Sequence, residues 1–310
     1  SPREIVPEAL DLYGQTRRVV ADWSQANTPV ALDTVAGWMA QEPQALCIVN
    51  VKNHALELTK HLSNRGVTRV FHLSTALCPA HRRRQLRRIA VALGKGIPCR
   101  LIATQCVEAG VDLDFPRAFR ALGPLEAIAQ AAGRCNRAGR SDTPGMLTVF
   151  LPNDPRYPMD GVYRKASMLT GVLLREKGDL DINAPGLFAE YFRRLYDLSE
   201  MEDKDLADAI LRQDYVDVAR RYRLIDDNTV NVVVPYSRWS ERLMDEARSQ
   251  GVTGEWMRRV RGYTVTLFRP QDGRLPSFLE PVIMERTKKP ADDTFGFMPD
   301  ETRSNGCYTG

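Results

Sequence analysis

Five short runs of apolar or β-favouring residues, Ala45 to Val51, Arg69 to Leu73, Cys99 to Thr104, Ala118 to Leu122 and Met146 to Leu151, constrain this chain more than any other feature. Taken together they read as continuous apolar strands rather than as the polar/apolar alternation of a sheet with one wet face. A strand that is apolar on both sides must be covered on both sides, as in a parallel sheet sandwiched by helices. Helix-like stretches lie between the runs: Asn53 to Asn64 ending at Gly66, Pro79 to Leu93, and Leu125 to about Ala138 closed by Gly139. The pattern predicts an α/β fold over residues 45–151, a parallel sheet with helices on both faces. In such sheets ligands gather in the loops beyond the carboxyl ends of the strands. Thr104 and its successors occupy one of those loops.

Around this block the sequence is less regular. Residues 1–44 are polar and dotted with proline, apart from an amphipathic stretch at Leu32 to Met39, and read as an arm or linker. The proline-rich stretch Pro152 to Pro158 marks a boundary. Residues 152–310 then read as a linker and a mostly helical accessory domain, with helices near 162–175, 186–197, 203–222 and 237–250 and β runs at Thr229 to Pro235 and Tyr263 to Phe268. The last 25 residues are polar and read as loose. At 310 residues and 43% hydrophobic content the chain can bury a sizeable core in roughly two domains. No stretch approaches the ~18 apolar residues of a membrane span, and the start lacks a signal pattern, so a cytoplasmic location is expected. The chain opens on Ser1 instead of Met, which suggests a fragment.

The six cysteines are scattered without a C-x-x-C pair, and the four histidines form neither H-E-x-x-H nor a His-Asp doublet. No metal site and no disulfide framework is expected. Charge is more informative. Of the net +4, residues 81–140 hold twelve Lys or Arg against four Asp or Glu, so the remainder of the chain is net negative. A concentrated basic block suits a phosphate-tracking surface, although a solvated helix face would read the same way. On the helix from Pro79 to Leu93, apolar Leu86, Ile89, Ala90 and Leu93 share one side and place Arg84, Arg87 and Arg88 on the other, towards solvent or a ligand.

The sharpest constellation is Gln130-Ala-Ala-Gly133-Arg134-Cys-Asn-Arg137, followed by Ala138-Gly139-Arg140. On a helix, Gln130, Arg134 and Arg137 fall within about 60° of arc. No acid lies between 127 and 141 to neutralise the two arginines. Guanidinium groups presented this way suit the oxygens of a transferring phosphoryl group. This segment resembles motif VI of superfamily 2 helicases, Q-x-x-G-R-x-x-R. The resemblance implies a RecA-like lobe in which Arg137 is the arginine finger, Arg134 its phosphate-binding companion, and Gln130 orients the γ-phosphate and water. Upstream, Ala103 to Asp112 is similar to motif V: Thr104, beside Gln105, offers a hydroxyl to a nucleic-acid phosphate, Gly110 permits close backbone approach, and Asp112 can reach the ATP ribose. Cys47 to Asn53, with Asn50 and Lys52, stands in the place of motif IV. Phe71 to Thr75 resembles the next motif, where the hydroxyls of Ser74 and Thr75 would hold a nucleic-acid backbone.

The wording A-T-Q-x-V-E-x-G-V-D-x-D-F with Q-x-x-G-R-x-N-R-x-G-R resembles the type I CRISPR-associated helicase-nuclease. Arg223 to Pro235 is similar to the C-terminal domain in one branch of that family. The resemblance implies the second RecA-like lobe and C-terminal domain of an ATP-dependent single-stranded DNA translocase that degrades invading DNA, running 3′ to 5′. ATP with Mg²⁺ would be shared with a first RecA-like lobe, and an HD nuclease domain with its own metal would act on the strand. A crRNA-guided surveillance complex would recruit the whole. The chain holds no G-x-x-x-x-G-K-[ST], no Walker B strand and no HD pair, so alone it is expected to be inactive. Two other readings stay open: the second lobe of a different superfamily 2 DNA or RNA helicase, and a non-catalytic RecA-like module that only grips nucleic acid.

Overall fold

In a computed structural model of the chain, the described residues are 7, 10, 12–15, 17–139, 143–154, 157, 162–198, 204–221, 229–268, 279–281 and 295–297. They fall into two compact units, one drawn from residues 1–74 and 88–201, the other from residues 75–87 and 202–310.

The first unit runs α1 (Leu12–Gln15), β1 (Val19–Val30), α2 (Leu32–Gln41), β2 (Gln44–Ile48), α3 (Lys52–Asn64) and β3 (Val70–Leu73), then the later part of α4 (Pro79–Gly94). It continues through β4 (Cys99–Ala103), a 3-10 turn (Gln105–Val107), β5 (Arg117–Ala121), α5 (Leu125–Ala132), β6 (Gly145–Pro152), α6 (Val162–Lys177) and α7 (Pro185–Asp197). The six strands form one sheet in the order β1-β6-β5-β2-β4-β3, every pair parallel. The side chains alternate as a pleat requires. Ala45, Cys47, Ile102, Phe119, Ala121 and Phe150 face a core shared with Val35, Met39, Leu58 and Leu62 of α2 and α3. Leu46, Ile48, Leu101, Ala103 and Val149 are as deeply buried on the opposite side, where α5 packs on β5 and β6 and α6 on β1. Burial of each such aliphatic side chain contributes on the order of 1.5–3 kcal/mol.

The register sets the working rim. Ile48 lies opposite Ala103 on one side and Arg120 on the other, and Leu73 lies opposite Ala103, so β2, β3, β4 and β5 end together. From β2 the chain departs towards β3, and it later resumes on the far side of β2 with β5. The gap between β2 and β5 is therefore where the strand order reverses, the usual place for a ligand crevice in an open parallel sheet.

The second unit holds the start of α4, α8 (Lys204–Leu211), α9 (Tyr215–Arg221), β7 (Thr229–Val233), α10 (Arg238–Gln250), α11 (Gly254–Val260), β8 (Thr264–Phe268), β9 (Glu280–Pro281) and β10 (Phe295–Phe297). A four-stranded sheet, β8-β7-β10-β9, backs its helices. Ser237 caps α10 reciprocally with Ser240, and buried Trp256 of α11 donates its indole N–H to the Leu243 carbonyl at 2.6 Å. The helix expected over 203–222 is two helices, because the chain turns at Gln213, whose φ is 56°. Most of the tail expected to be loose lies outside the described residues.

Two expectations about the first unit need correction. The arm read over residues 1–44 contains β1, the sheet's edge strand paired with β6, and α2, whose Val35, Ala36 and Met39 are fully buried. The boundary at 152 is not where compactness ends, since α6 and α7 stay with the sheet. Trp23 of β1, 5% exposed, donates to the Leu180 carbonyl at 2.9 Å and ties both ends of that unit together.

Candidate functional site

Gln130, Arg134 and Arg137 do not lie on one helical stripe. The helix expected to reach Ala138 stops at Ala132, with Gly133 as its C-cap, and leaves only Gln130 on α5, exposed. The cause is tertiary. Residues 134–136 pair with Phe115: the Phe115 N–H donates to the Arg134 carbonyl and the Asn136 N–H to the Phe115 carbonyl, both at 2.9 Å. Asn136 takes a φ of 45°, a left-handed conformation that asparagine tolerates. Its side-chain amide reaches the carbonyls of Arg18 and Thr143, each at 3.3 Å.

Arg134 is half-buried. It donates through Nε to the Val107 carbonyl at 3.0 Å and through Nη2 to the Glu108 carbonyl at 2.6 Å. Burial, and then the like charge of Arg137, hold its pKa below the ordinary arginine value. The two arginines thus divide the work: Arg134 stitches its own loop to the turn after β4, while Arg137 is presented to solvent. Arg137 Nη1 lies 3.1 Å from Asp112 Oδ1, the two side chains being 44% and 90% exposed. That pairing revises the expectation that these arginines lack acidic neighbours, since the acid arrives from the loop before β5. Asp114 fixes the same loop by accepting from the backbone N–H groups of Arg137 at 2.7 Å and Ala138 at 3.1 Å. Arg18 donates to the Arg137 carbonyl at 2.7 Å. Gly110, expected to allow close approach, has a φ of 71° and is exposed, so glycine is required there for conformation.

The candidate nucleic-acid residues divide by exposure. Lys52 opens α3, and Thr75, Arg84, Arg87 and Arg88 are all exposed. The arginine-bearing side of α4 is as expected, but the buried side of that helix is His81, Gln85, Ile89 and Ala92, with Ala90 exposed. Gln85 Nε2 lies 3.1 Å from His81 Nε2, and His81 stacks on Tyr236 at 4.9 Å. Arg88 lies over the Phe71 ring at 5.5 Å. Ser74 is fully buried and Thr104 is 4% exposed, so their hydroxyls are covered at the ends of β3 and β4 rather than presented as expected. Asn50 is likewise engaged inside the fold. Its amide donates to the Leu122 carbonyl at 2.9 Å, its Oδ1 accepts from Arg120 and from Tyr163, each at 2.6 Å, and Gln105 donates to its carbonyl at 3.4 Å.

That last group is the feature the sequence did not disclose. Arg120 of β5 is fully buried beside the β2/β5 gap. Its guanidinium lies 2.8 Å from Glu108 and donates to Asn50, to the Ala121 carbonyl at 2.7 Å and to the Tyr163 hydroxyl at 3.0 Å. Burial pushes the Glu108 carboxyl above its ordinary pKa, and Arg120 draws it partly back. The Tyr157 hydroxyl closes the cluster, bonded to Asn50 and to the Leu122 carbonyl. Among the described residues no group of three His, Cys, Asp or Glu could hold a metal ion, and no helix is long and apolar enough to cross a membrane.

Part of this chain is similar in sequence to known proteins, and most of it is similar in fold. Residues 41–140 match the model for the C-terminal part of the CRISPR-associated nuclease/helicase Cas3. Over 131 residues the chain is 38% identical to CRISPR-associated nuclease/helicase Cas3 of Haloferax volcanii, a match covering 41% of this chain and 13% of that protein. Cas3 of T. fusca, crystallised with AMPPNP, shares the fold: TM-score 0.61 at 16% identity, over 92% of this chain and 40% of that one. A chain of a CRISPR RNA-guided surveillance complex in a pre-nicking state superposes with TM-score 0.56 at 19% identity, over 91% of this chain and 41% of its own length. The chain thus spans well under half the length of the Cas3 proteins it matches.

Proposed function

We propose that this chain is the second RecA-like lobe and C-terminal domain of an ATP-dependent single-stranded DNA translocase with an associated nuclease, acting against invading DNA in type I CRISPR interference in the cytoplasm. One observation carries the reading. The loop that resembles motif VI is fastened from four sides, by the Arg134 side chain, Phe115, Asp114 and Arg18, and it presents the exposed Arg137 guanidinium beside Asp112 and the Val111 carbonyl. A well-fastened loop that presents a guanidinium is what a trans-acting arginine finger requires, because preorganised charge lowers the cost of reorganisation when the phosphoryl group departs.

A nucleotide held by a first lobe through Mg²⁺ would meet Arg137 from this side, with Asp112 released from the ion pair to face the ribose. Arg134 has both Nε and Nη2 committed to carbonyls, so it acts by holding the loop and adds positive potential near the phosphates. Gln130, one turn earlier on α5, would orient the water. The exposed Lys52, Thr75, Arg84, Arg87 and Arg88 would supply phosphate contacts, while Ser74 and Thr104 are buried and Gln105 half-buried. The names of the matched proteins support this assignment: Cas3 solved with a nucleotide analogue, and a surveillance complex in a pre-nicking state. The test is Arg137→Ala in an enzyme that joins this chain to its nucleotide-gripping lobe. DNA-stimulated ATP turnover should fall by ~10³-fold with little change in DNA affinity. Normal stimulated turnover in that variant overturns the assignment.

A further inference from the structure

Arg120 and Glu108 form an ion pair enclosed within the fold. Their side chains are 0% and 8% exposed, and a buried pair of this kind seldom adds stability over well-packed apolar residues, because both charges must leave water. Its position is more telling than its energy. It occupies the gap between β2 and β5, the place where an open parallel sheet usually receives a ligand, and fills it with the chain's own polar groups.

Glu108 is gripped twice. Its carboxylate meets Arg120, and its main-chain carbonyl, with that of Val107, accepts from Arg134. On the other side Arg120 holds Asn50 and Tyr163, and Asn50 in turn accepts from Gln105 at the start of the same turn. A continuous chain of polar contacts therefore runs from the loop after β2, through Arg120 and Glu108, to the arginine beside Arg137. Alanine at Gly123 would put its Cβ 2.9 Å from the Tyr163 hydroxyl and 3.3 Å from Arg120, so the loop after β5 is also fitted to the cluster.

We propose that Arg120 is a positioning residue that couples the nucleic-acid side of this lobe to its arginine finger, acting through Glu108 and Arg134. The proposal rests on the function proposed above. A shift of Asn50 or Gln105 on strand binding is passed to the 105–112 turn by the ion pair, and Arg134 passes it to the loop that carries Arg137. Arg120 touches no substrate. It sets whether nucleic acid makes the finger competent.

The experiment compares wild type with the double variant Arg120→Met/Glu108→Met, which removes both charges together and leaves the Asn50–Tyr163 bond in place. Tyr163→Phe is the milder companion, should the double variant not fold. Hydrogen exchange on this chain reads the stitch directly: amides of residues 105–112 and 134–138 should exchange at least tenfold faster in a folded variant, with β2 and β4 unchanged. In the two-lobe enzyme, turnover without DNA and the KM for ATP should stay near wild type, while the stimulation by a poly-dT strand drops tenfold or more. A folded variant with unchanged exchange in both segments, or with full stimulation, overturns the proposal. Arg137→Ala run in parallel separates the two ideas. If it leaves stimulated turnover intact, the functional reading fails whatever Arg120 does. If it abolishes stimulation and the double variant does not, only the coupling role is lost.

Discussion

The two arginines of the 133–138 loop should fail in different ways when removed. In Arg134→Ala, two charge-assisted bonds to the Val107 and Glu108 carbonyls are lost from a half-buried site. At ~1.5 kcal/mol each, the low end for bonds involving a charged group, the loss is ~3 kcal/mol. For a unit of this size ~1 kcal/mol shifts the melting temperature by ~2–4 °C, so the expected fall is ~6–12 °C. Arg137→Ala removes an ion pair whose members are 44% and 90% exposed, and such pairs contribute at most ~1 kcal/mol. Its melting point should move by no more than ~4 °C. Calorimetry on the chain measures both, with hydrogen exchange of residues 101–121 assigning the transition to the sheet. Arg134→Lys, which keeps the charge but has one donor head, should fall between them. The reasoning is refuted if Arg134→Ala melts within ~2 °C of wild type, or if Arg137→Ala drops as far.

Three other outcomes follow from the same geometry. Alanine at Gly145 would bring its Cβ to 2.7 Å from Cys135 Sγ and 2.8 Å from the Asn136 Cβ, so Gly145→Ala should lower stability by ~1–3 kcal/mol, read from the urea midpoint, and an unchanged midpoint contradicts the packing. Burial pushes the thiols of Cys47 and Cys135 up to about 12 and that of Cys99 to about 11. At pH 8 their thiolate fractions are therefore ~10⁻⁴ to 10⁻³, and labelling should rise ~tenfold per pH unit while half-buried Cys106 leads; Cys135 alkylating as fast as Cys106 in peptide mapping would contradict this. Trp23→Phe should cost ~1–3 kcal/mol in a denaturant titration through the lost indole bond to Leu180 and the void left behind, and a neutral result would argue that β1 is not integral to the sheet.

Legibility in the sequence followed the physics of each segment. The central strands β2 and β4 are buried on both faces and read as plain apolar runs. By contrast, β1 is an edge strand that exposes Val20, Ser24 and Asn27, carries two register irregularities and contains Pro29, so neither continuity nor clean alternation marks it. The 3.6-residue spacing of Gln130, Arg134 and Arg137 invites a helix, yet Phe115 captures residues 134–136, a competitor far upstream that no local pattern discloses. Position and spacing were enough to single out Arg137 and Asp112, which the fold does bring together. Arg120 was invisible for the opposite reason. It sits inside the apolar run of β5, and its counter-charge lies in a different loop.

Of the six strands in the parallel sheet, the earliest, β1, completes it against the latest, β6. Val19 pairs with Gly145 and Val30 with Pro152, so during synthesis β1 lacks its neighbour in this sheet until β6 has left the ribosome. Until then its unpaired backbone and the indole of Trp23 are available to other chains, and closure of so long a loop is slow. Gly145 and Arg18 meet at that seam, beside Asn136. The Arg18 share of the fastening therefore belongs with completion of the sheet, whereas the contacts to Phe115, Asp114 and the Val107 and Glu108 carbonyls need no residue beyond 138.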